Sequence, residues 1–254
     1  MSGAGQWGEL IIRLPESLAE QTRPVNGQWL RSIARTNSEH VRRGQLPQGF
    51  FARDEQGRAI PGPAPVRWIG NQRKLVLQAL GEPAVDMLAE HGHKVTRALA
   101  RHFEQPLAEQ FREGKARASG TDRMMPYHVP WLCFPSSRRF KRLGLIERCA
   151  RKEEGLEALI RKELARLIEK GLVEMANERY VMDLPEFEIG DLSWEAERML
   201  PTKRLEDDRQ MYHLALKNVS VLASVNLHGP WAVGGFRSYG FGGIRAGLPD
   251  AGER

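Results

Sequence analysis

Cysteine is nearly absent from the 254-residue sequence, which contains only Cys133 and Cys149. Two cysteines do not build a disulfide scaffold in a chain of this length, so we expect buried free thiols in a reducing cytoplasm. They also lack the clustered partners that a zinc site needs. No apolar run reaches the roughly 18 residues that a membrane-spanning helix requires. The N-terminal residues have no basic stretch before an apolar run, so a signal peptide is not expected either.

Basic and acidic residues are unevenly distributed along the chain. The net charge is +6, but residues 89–152 hold 14 Lys and Arg against 6 Asp and Glu. Residues 153–208 reverse the balance, with 8 basic and 16 acidic residues. A merely solvated surface is expected to mix the signs more evenly. The basic region therefore indicates a polyanionic partner, such as a nucleic-acid backbone.

The hydrophobic pattern predicts helices mixed with strands. A first helix is expected from Asn26, which fits the N-cap, to Arg43, which precedes Gly44. Residues 45–65 are dense in glycine and proline and are expected to form a loop. Residues 219–227 alternate strictly between apolar and other side chains, which indicates a half-buried strand. The predicted strands lie at 9–14, 66–69, 75–80, 172–175, 180–184, 211–216 and 219–227. A turn at Gly70-Asn71 is predicted to join the second of these strands to the third.

A second helix is predicted to begin near Glu82 and Pro83, with a possible restart after Gly92 and an end at Pro106. Its apolar stripe consists of Val95, Leu99 and Phe103. A neighbouring stripe of cations consists of Lys94, Arg97 and Arg101. One face can therefore pack while the adjacent face presents positive charge. The stretch 114–120 (GKARASG) is expected to be basic and mobile.

A third helix is predicted after Ser136 or Ser137, either of which fits an N-cap. Its first turns contain Arg138, Arg139, Lys141 and Arg142. Cations at a helix N-terminus oppose the helix dipole, usually by up to about 1 kcal/mol. That placement favours a bound phosphate at this end. A solvated basic helix end is the alternative.

A strongly amphipathic helix is predicted at 156–168, ended by Gly171. The strands at 172–175 and 180–184 would form a hairpin directly after it. A helix followed by a hairpin is typical of winged-helix modules. A non-catalytic winged-helix nucleic-acid-binding protein is therefore an alternative interpretation of the chain. The acidic run at 185–197 would repel phosphates and is interpreted as scaffold.

The segment 228–247 combines seven glycines with interleaved aromatic and cationic residues. Glycine permits positive φ and close backbone approach, so successive exposed N–H groups are predicted to form a concave anion site. Aromatics and arginines between them suit nucleic acid, through base stacking and phosphate pairing. The segment contains no correctly spaced GxGxxG motif and is not followed by a GKS/T motif, so no nucleotide cofactor is expected.

The longer pattern in this segment is HGP at 228–230 followed by GGFxxYGF at 234–241. It resembles the C-terminal glycine-rich loop of the CRISPR repeat-RNA processing endoribonucleases, most closely those of type I-F and their type IV relatives. The arginine-rich helix around 138–142 is similar to the hairpin-binding element of the same enzymes.

The resemblance implies an α+β fold with a ferredoxin-like (RRM-like) N-terminal domain and a divergent second α+β domain that carries a basic helical insertion. The first domain would comprise 1–88, completed by the glycine-rich part at 209–254. Residues 89–208 would form the basic RNA-binding region and the acidic scaffold. The implied activity is metal-independent cleavage of precursor crRNA at the 3′ base of the repeat hairpin. The enzyme would stay bound to the crRNA, as an effector subunit beside other type IV proteins.

Three residues are candidates for the chemistry. Tyr239 falls on the tyrosine of the family motif, although a packing aromatic is the alternative. His40 lies where relatives often place a catalytic histidine, although it would equally serve as a charge at a helix C-terminus. The type I-F relative has a serine-rich stretch where this chain has TKRLEDDRQ at 202–210. Arg23 is therefore considered as the group that orients the ribose 2′-OH and stabilises the transition state.

The residues predicted to contact RNA are cations and loop residues: Arg35, Lys94, Arg97, Arg101, Arg138, Arg139, Lys141, Arg142, Gly235, Arg237, Ser238, Gly240, Gly242 and Arg245. The histidines at 91, 93 and 102 lack carboxylate or cysteine companions at metal-binding spacing, so no metal site is expected.

Overall fold

The computed structural model of the protein describes residues 4–18, 26–37, 46–51, 64–135, 155–203, 210–235, 237 and 240–247. They form a mixed α+β fold with antiparallel strand pairing, which confirms the predicted class. The chain divides into two compact units. The first unit comprises Met1–Arg117, Ala176–Met182 and Ser238–Gly240, and the second comprises Ala118–Met175, Asp183–Arg237 and Phe241–Arg254. These units follow different boundaries from the predicted domains, 1–88 with 209–254 and 89–208, which stay a prediction.

Among its described residues, the first unit contains four strands and two α-helices, and every neighbouring pair of these strands is antiparallel. The strands lie in the order β2-β3-β1-β4. Along the chain the elements are β1 (Gly5–Arg13), α1 (Gly27–Asn37), β2 (Val66–Gly70), β3 (Lys74–Leu80), α2 (Glu82–Phe103) and β4 (Glu109–Cys133). β4 continues into the second unit after Arg117.

Local sequence signals explain where these elements begin and end. The Oδ1 of Asn26 accepts a hydrogen bond of 2.9 Å from the N–H of Trp29, which confirms the predicted N-cap. Asn71 closes the turn between β2 and β3, as predicted, by accepting from the N–H groups of Arg73 and Lys74. α2 ends before Pro106, at a left-handed Glu104.

α2 runs without interruption through Gly92, so the predicted restart is wrong. A Cβ at this position would lie 2.7 Å from Cδ2 of Leu10, and the glycine therefore serves close packing of the helix on the sheet.

Alternate residues of the strands face α1 and α2 and form the core of the first unit. Trp68 is fully buried there and donates its indole N–H to the carbonyl of Phe50 at 2.6 Å. The predicted stripe of α2 is part of this core, since Val95 and Leu99 are buried and Phe103 packs against them. The sheet residues of the core include Leu10, Ile12, Val66, Leu75, Leu77 and Ala79.

The second unit is built around one long strand, β7 (Gln210–His228), which lies beside β4 and β5 and also pairs with β6. Its other elements are α3 (Leu156–Met175), β5 (Ile189–Ser193), β6 (Ala196–Lys203), β8 (Trp231–Ala232) and β9 (Gly243–Ala246). The predicted strands at 211–216 and 219–227 are parts of this single strand. The alternation at 219–227 is confirmed, because all five apolar residues of that set are buried.

Two predictions around α3 are wrong. The helix continues beyond Gly171 to Met175, because Gly171 packs against Val233, whose Cγ1 would lie 2.8 Å from an added Cβ. Residues 172–175 are therefore helical, and a π-helical turn follows at Ala176–Tyr180. The hairpin on which the winged-helix interpretation depends is not formed.

The stretch 114–120 is also not a mobile loop, because it lies within β4. Its first residues pair with β1, with Gly114 opposite Trp7 and Ala116 opposite Gly5. A Cβ at Gly114 would lie 2.7 Å from the Trp7 ring, so this glycine permits the ring to pack on the neighbouring strand.

The two remaining expectations concern thiols and membranes. Cys133 is buried, and burial raises the pKa of its thiol to about 12, as expected for an inert core cysteine. Cys149 lies outside the described residues. No helix in the described parts of the chain is both long and apolar enough to cross a membrane.

Candidate functional site

The glycine-rich segment begins and ends in strands of the second unit. β8 pairs with β9, with Trp231 opposite Ile244. β9 also pairs with β4, and this register places Arg245 opposite the buried His128. Arg245 is exposed, as an RNA-contacting cation would have to be.

Positive φ angles bend the backbone between these strands. Gly234 has φ +82° and Gly242 has φ +74°. A Cβ at Gly242 would lie 1.7 Å from the carbonyl oxygen of Val233, which is closer than any side chain tolerates. The glycine at this position is therefore required by both conformation and space.

Several glycine N–H groups of the segment are already used within the protein. Gly235 donates to the carbonyl of Cys133 at 2.6 Å, Gly242 to Trp131 at 2.7 Å, and Gly247 to Pro126 at 2.9 Å. The predicted anion site of exposed N–H groups is therefore wrong at these positions. The glycines shape the segment and close it onto β4. Contacts of Gly235 and Gly242 with RNA stay a prediction.

Arg237 is held by an ion pair within the second unit. Its Nη2 lies 3.0 Å from Oε2 of Glu174 on α3, and the two side chains are 11% and 25% exposed. Hydrogen bonds to a charged partner in a partly buried position stabilise more than exposed ones. Arg237 therefore secures the glycine-rich segment to α3, whatever further contact it makes.

Gly240 belongs to the first unit, where it packs on β2. It has φ +88°, and an added Cβ would lie 3.3 Å from Cγ1 of Ile69 and 3.4 Å from the carbonyl oxygen of Trp68. The Nη2 of Arg67 donates to the Gly240 carbonyl at 3.4 Å, the long end of hydrogen-bond distances. Arg67 is only 2% exposed, so this contact forms in a water-poor environment.

Arg67 is the end of a polar row that crosses the sheet of the first unit. Arg67 lies opposite Gln78, Gln78 opposite Glu9, and Glu9 opposite Arg112. The side chains are joined in the same order, by hydrogen bonds of 2.6 Å, 2.7 Å and 2.7 Å. Glu9, Gln78 and Arg67 are all buried, although their positions alternate with those that face the helices.

Tyr180 covers part of this second face of the sheet. Its ring packs on Gly5, where an added Cβ would lie 2.3 Å from the ring. Burial raises the pKa of Tyr180 far above its usual value; nearby Arg67 partly offsets that increase and Glu9 adds to it. The phenol is therefore neutral and forms part of the cover over the polar row.

The basic stripe of α2 lies on the helical side of the first unit. Arg97 and Arg101 are exposed, and Lys94 lies 3.0 Å from Nδ1 of His91. Burial and the Lys94 charge lower the pKa of His91. Arg35 is exposed in the last turn of α1.

A contact of 3.4 Å between Asn37 and His102 brings the ends of α1 and α2 together. In the first turn of α1, Trp29 is 38% exposed and its ring centroid lies 6.2 Å from that of Phe103. The contact between Asn37 and His102 joins the last turn of α1, which holds Arg35, to the last turn of α2, which holds Arg101.

Comparison with known families decides what this chain is. Residues 6–249 match the model of the family described as type IV CRISPR-associated endonuclease Csf5. The chain belongs to this family. The match covers both compact units and includes the whole glycine-rich segment.

Solved structures share the fold of this endonuclease. One is described as Csf5, a CRISPR-Cas type IV Cas6 crRNA endonuclease, with 19% identity and a TM-score of 0.64 over 96% of this chain and 100% of that chain. Two crystal structures of Cas6b proteins follow, each with 10% identity over 95% of this chain and 100% of theirs, and with TM-scores of 0.57 and 0.54. A search of curated sequences finds no match.

Several predicted site residues of this endonuclease lie outside the described residues, so their positions stay predictions. These are the candidate catalytic residues His40, Tyr239 and Arg23, and the RNA-binding residues Arg138, Arg139, Lys141, Arg142 and Ser238.

The buried polar row is the feature that sequence reasoning missed. Glu9, Arg67 and Gln78 each occupy a predicted strand, one position away from an apolar core residue. Their alternation with the core was a signal that they share a face. The register that aligns them across the strands is not contained in any local pattern. Among the described residues, no group of three or more His, Cys, Asp or Glu side chains could hold a metal ion.

Proposed function

We propose that this endonuclease matures CRISPR guide RNA by binding the repeat stem-loop and cutting precursor crRNA at the 3′ base of the hairpin. The observation that carries the proposal is the family match across residues 6–249. The concentration of basic residues at 89–152 supports RNA as the ligand, because cations neutralise backbone phosphates.

We also propose that the first unit is a ferredoxin-like, RRM-like domain. Its element order β-α-β-β-α-β and its strand order β2-β3-β1-β4 support this assignment. In this assignment the fourth strand is the start of β4. The predicted domain boundary at residue 88 and the completion of the first domain by residues 209–254 stay predictions.

The proposed reaction is metal-independent transesterification. The ribose 2′-oxygen attacks the adjacent phosphorus and the bond to the 5′-oxygen breaks, which leaves a 2′,3′-cyclic phosphate and a 5′-OH. A base removes the 2′ proton and an acid protonates the leaving oxygen. Such groups contribute roughly 10²–10⁴-fold to the rate. Fixed cations stabilise the charge that develops on the phosphate.

His40, Tyr239 and Arg23 are proposed to supply these functions. His40 fits proton transfer, because histidine titrates near neutral pH. Tyr239 fits a hydrogen-bond donor or acceptor at the reacting oxygens. Arg23 stays protonated, so its role is to orient the 2′-OH and stabilise the transition state.

The proposal extends to assembly after cleavage. The enzyme stays on its product and becomes an effector subunit beside other type IV proteins. Gel filtration of the cleavage reaction tests this part, since the cut hairpin should elute with the protein.

The decisive experiment incubates purified protein with repeat RNA in EDTA. We expect cleavage at the 3′ base of the hairpin and a 2′,3′-cyclic phosphate end, and no cleavage when the cut-site nucleotide carries 2′-deoxyribose. Tight hairpin binding without cleavage would reduce the protein to a subunit that holds RNA. Preference for duplex DNA would overturn the proposal.

Replacement of Tyr239 by phenylalanine tests its chemical role. We expect single-turnover cleavage to slow by about 100-fold, with hairpin affinity nearly unchanged, because only proton handling or transition-state contact is lost. Tyr127→Phe is the matched control, since it removes a buried hydroxyl from the second unit and should leave the cleavage rate unchanged. Equal losses of rate and affinity in Tyr239→Phe would make Tyr239 a packing residue.

A further inference from the structure

The polar row of the first unit places ionic side chains where apolar ones would suffice for packing. Glu9 and Arg67 are 7% and 2% exposed. Desolvating charges is costly, and well-packed apolar residues often stabilise a protein equally well in their place. Charged side chains in this row are therefore best explained if the protein needs a hydrogen-bond donor at the position of Arg67.

Arg67 donates such a hydrogen bond to the backbone carbonyl of Gly240. One side of its guanidinium is held by Gln78, which in turn is held by Glu9. This chain of hydrogen bonds orients the planar group, so its Nη2 points at the Gly240 carbonyl. A lysine has no planar fork and cannot keep both directions at once.

The backbone around Gly240 needs such a contact. Glycine adopts the φ of +88° freely, so the intrinsic backbone preference does not fix this position, and Ile69 and Trp68 bound it on one side only. The hydrogen bond from Arg67 then fixes the direction of the carbonyl. Gly240 also directly follows Tyr239 in the sequence.

We propose that Arg67 is a positioning residue for RNA cleavage, which acts by holding the Gly240 carbonyl and so fixing this end of the glycine-rich segment. The inference rests on the proposed function and adds a residue that the family motif does not contain. Gln78 and Glu9 contribute to the same function, because their hydrogen bonds orient Arg67.

The test compares Arg67→Lys with Arg73→Lys in the full-length protein. Arg73 is exposed in the turn between β2 and β3, so the control makes the same chemical change away from Gly240. Hydrogen–deuterium exchange is measured on the RNA-free protein, in peptides that cover 240–247. Single-turnover cleavage and hairpin affinity are measured with repeat RNA below the thermal unfolding midpoint of each variant.

We expect Arg67→Lys to accelerate exchange in 240–247 and to slow cleavage by about tenfold or more, because small misplacements of a site reduce rates strongly. Hairpin affinity should change by less than about threefold, since phosphate contacts are untouched. Arg73→Lys should match the wild type in exchange and cleavage rate.

A double-variant cycle with Gly240→Ala separates positioning from general stability. If Arg67 acts through Gly240, the double variant cleaves no more slowly than the slower single variant. Multiplicative losses, unchanged exchange, or unchanged cleavage in Arg67→Lys would each overturn the inference. Absence of cleavage by the wild type would instead overturn the proposed function. The exchange result would still test whether Arg67 holds the Gly240 carbonyl.

Discussion

At the scale of single residues, the glycines of the C-terminal segment have different tasks. Gly242 and Gly234 lie where a Cβ would meet backbone oxygen atoms of Val233 and Cys133. Gly247 also has a positive φ, but nothing lies within 4 Å of its added Cβ. At Gly247 only the backbone conformation favours glycine. At Gly242 both the conformation and the lack of room for a Cβ require glycine.

Replacement of Gly242 by alanine is expected to destabilise the protein by at least about 2 kcal/mol, because left-handed strain adds to a backbone clash. Urea unfolding measures this change. Gly155→Ala is the control, since it has open space around its Cβ and precedes α3. Comparable losses in both variants would show that the close approach to Val233 is not what requires glycine.

Residue type alone did not reveal which cations are buried and which are exposed. Arg237 and Arg245 look alike in the glycine-rich segment, but the Arg237 side chain is only 11% exposed and pairs with Glu174, whereas Arg245 is exposed on β9. A cation's partner depends on which carboxylate the fold brings near, and Glu174 is far away along the chain.

At the scale of elements, the second unit depends on the junction of β4 with β7. The Tyr127 hydroxyl donates to the Val225 carbonyl at 2.7 Å and accepts from the Leu227 N–H at 2.9 Å. One side chain of β4 thereby satisfies a donor and an acceptor of its neighbouring strand. Burial raises the pKa of Tyr127 above its usual value of 10.0.

Tyr127→Phe should lower the free energy of unfolding by about 1–3 kcal/mol at pH 8, because two buried backbone groups lose their partner. A raised pKa in the folded state means that the wild-type tyrosine contributes fully below pH 10 and loses this contribution as the pH rises through the folded value. The difference between variant and wild type should therefore shrink above pH 10.

The measurement is urea unfolding of both proteins at pH 8 and at the highest pH that permits reversible refolding. Other tyrosines titrate in both proteins and cancel in the difference. A gap that stays constant with pH would contradict the assignment of the shift to this hydroxyl.

Elements with strong local signals were predicted well. Three such predictions are confirmed: the helix N-cap at Asn26, the turn at Asn71, and the alternation of buried apolar residues along 219–227. Predictions failed where glycine was taken as a stop. Gly92 and Gly171 lie inside helices because they pack against Leu10 and Val233, a reason that local sequence does not contain.

At the scale of the whole molecule, charge is segregated along the chain. The basic stripe of α2 is exposed at Arg97 and Arg101, whereas α3 begins the acidic part of the sequence. If the α2 stripe contacts RNA, its cations should set part of the salt dependence of hairpin binding, since each phosphate contact releases counterions.

The double variant Arg97→Ala, Arg101→Ala should reduce the slope of log affinity against log salt by about 0.7–0.9 for each contact that is lost. Filter binding at several salt concentrations measures the slope. Lys162→Ala with Arg166→Ala removes the same charge from exposed positions of α3 and should leave the slope nearly unchanged. Equal changes in both double variants would mean that only net charge matters.

The sequence by itself indicated the family, through GGFxxYGF at 234–241, and predicted helices mixed with strands, through hydrophobic periodicity. These properties follow from residues that are near one another along the chain, so a local pattern is sufficient. The tertiary structure decided which glycine N–H groups are occupied, that Arg237 meets Glu174, and that Arg67, Gln78 and Glu9 form one buried row. Each of these depends on strand register or on contacts between distant residues, and only folding brings those atoms together.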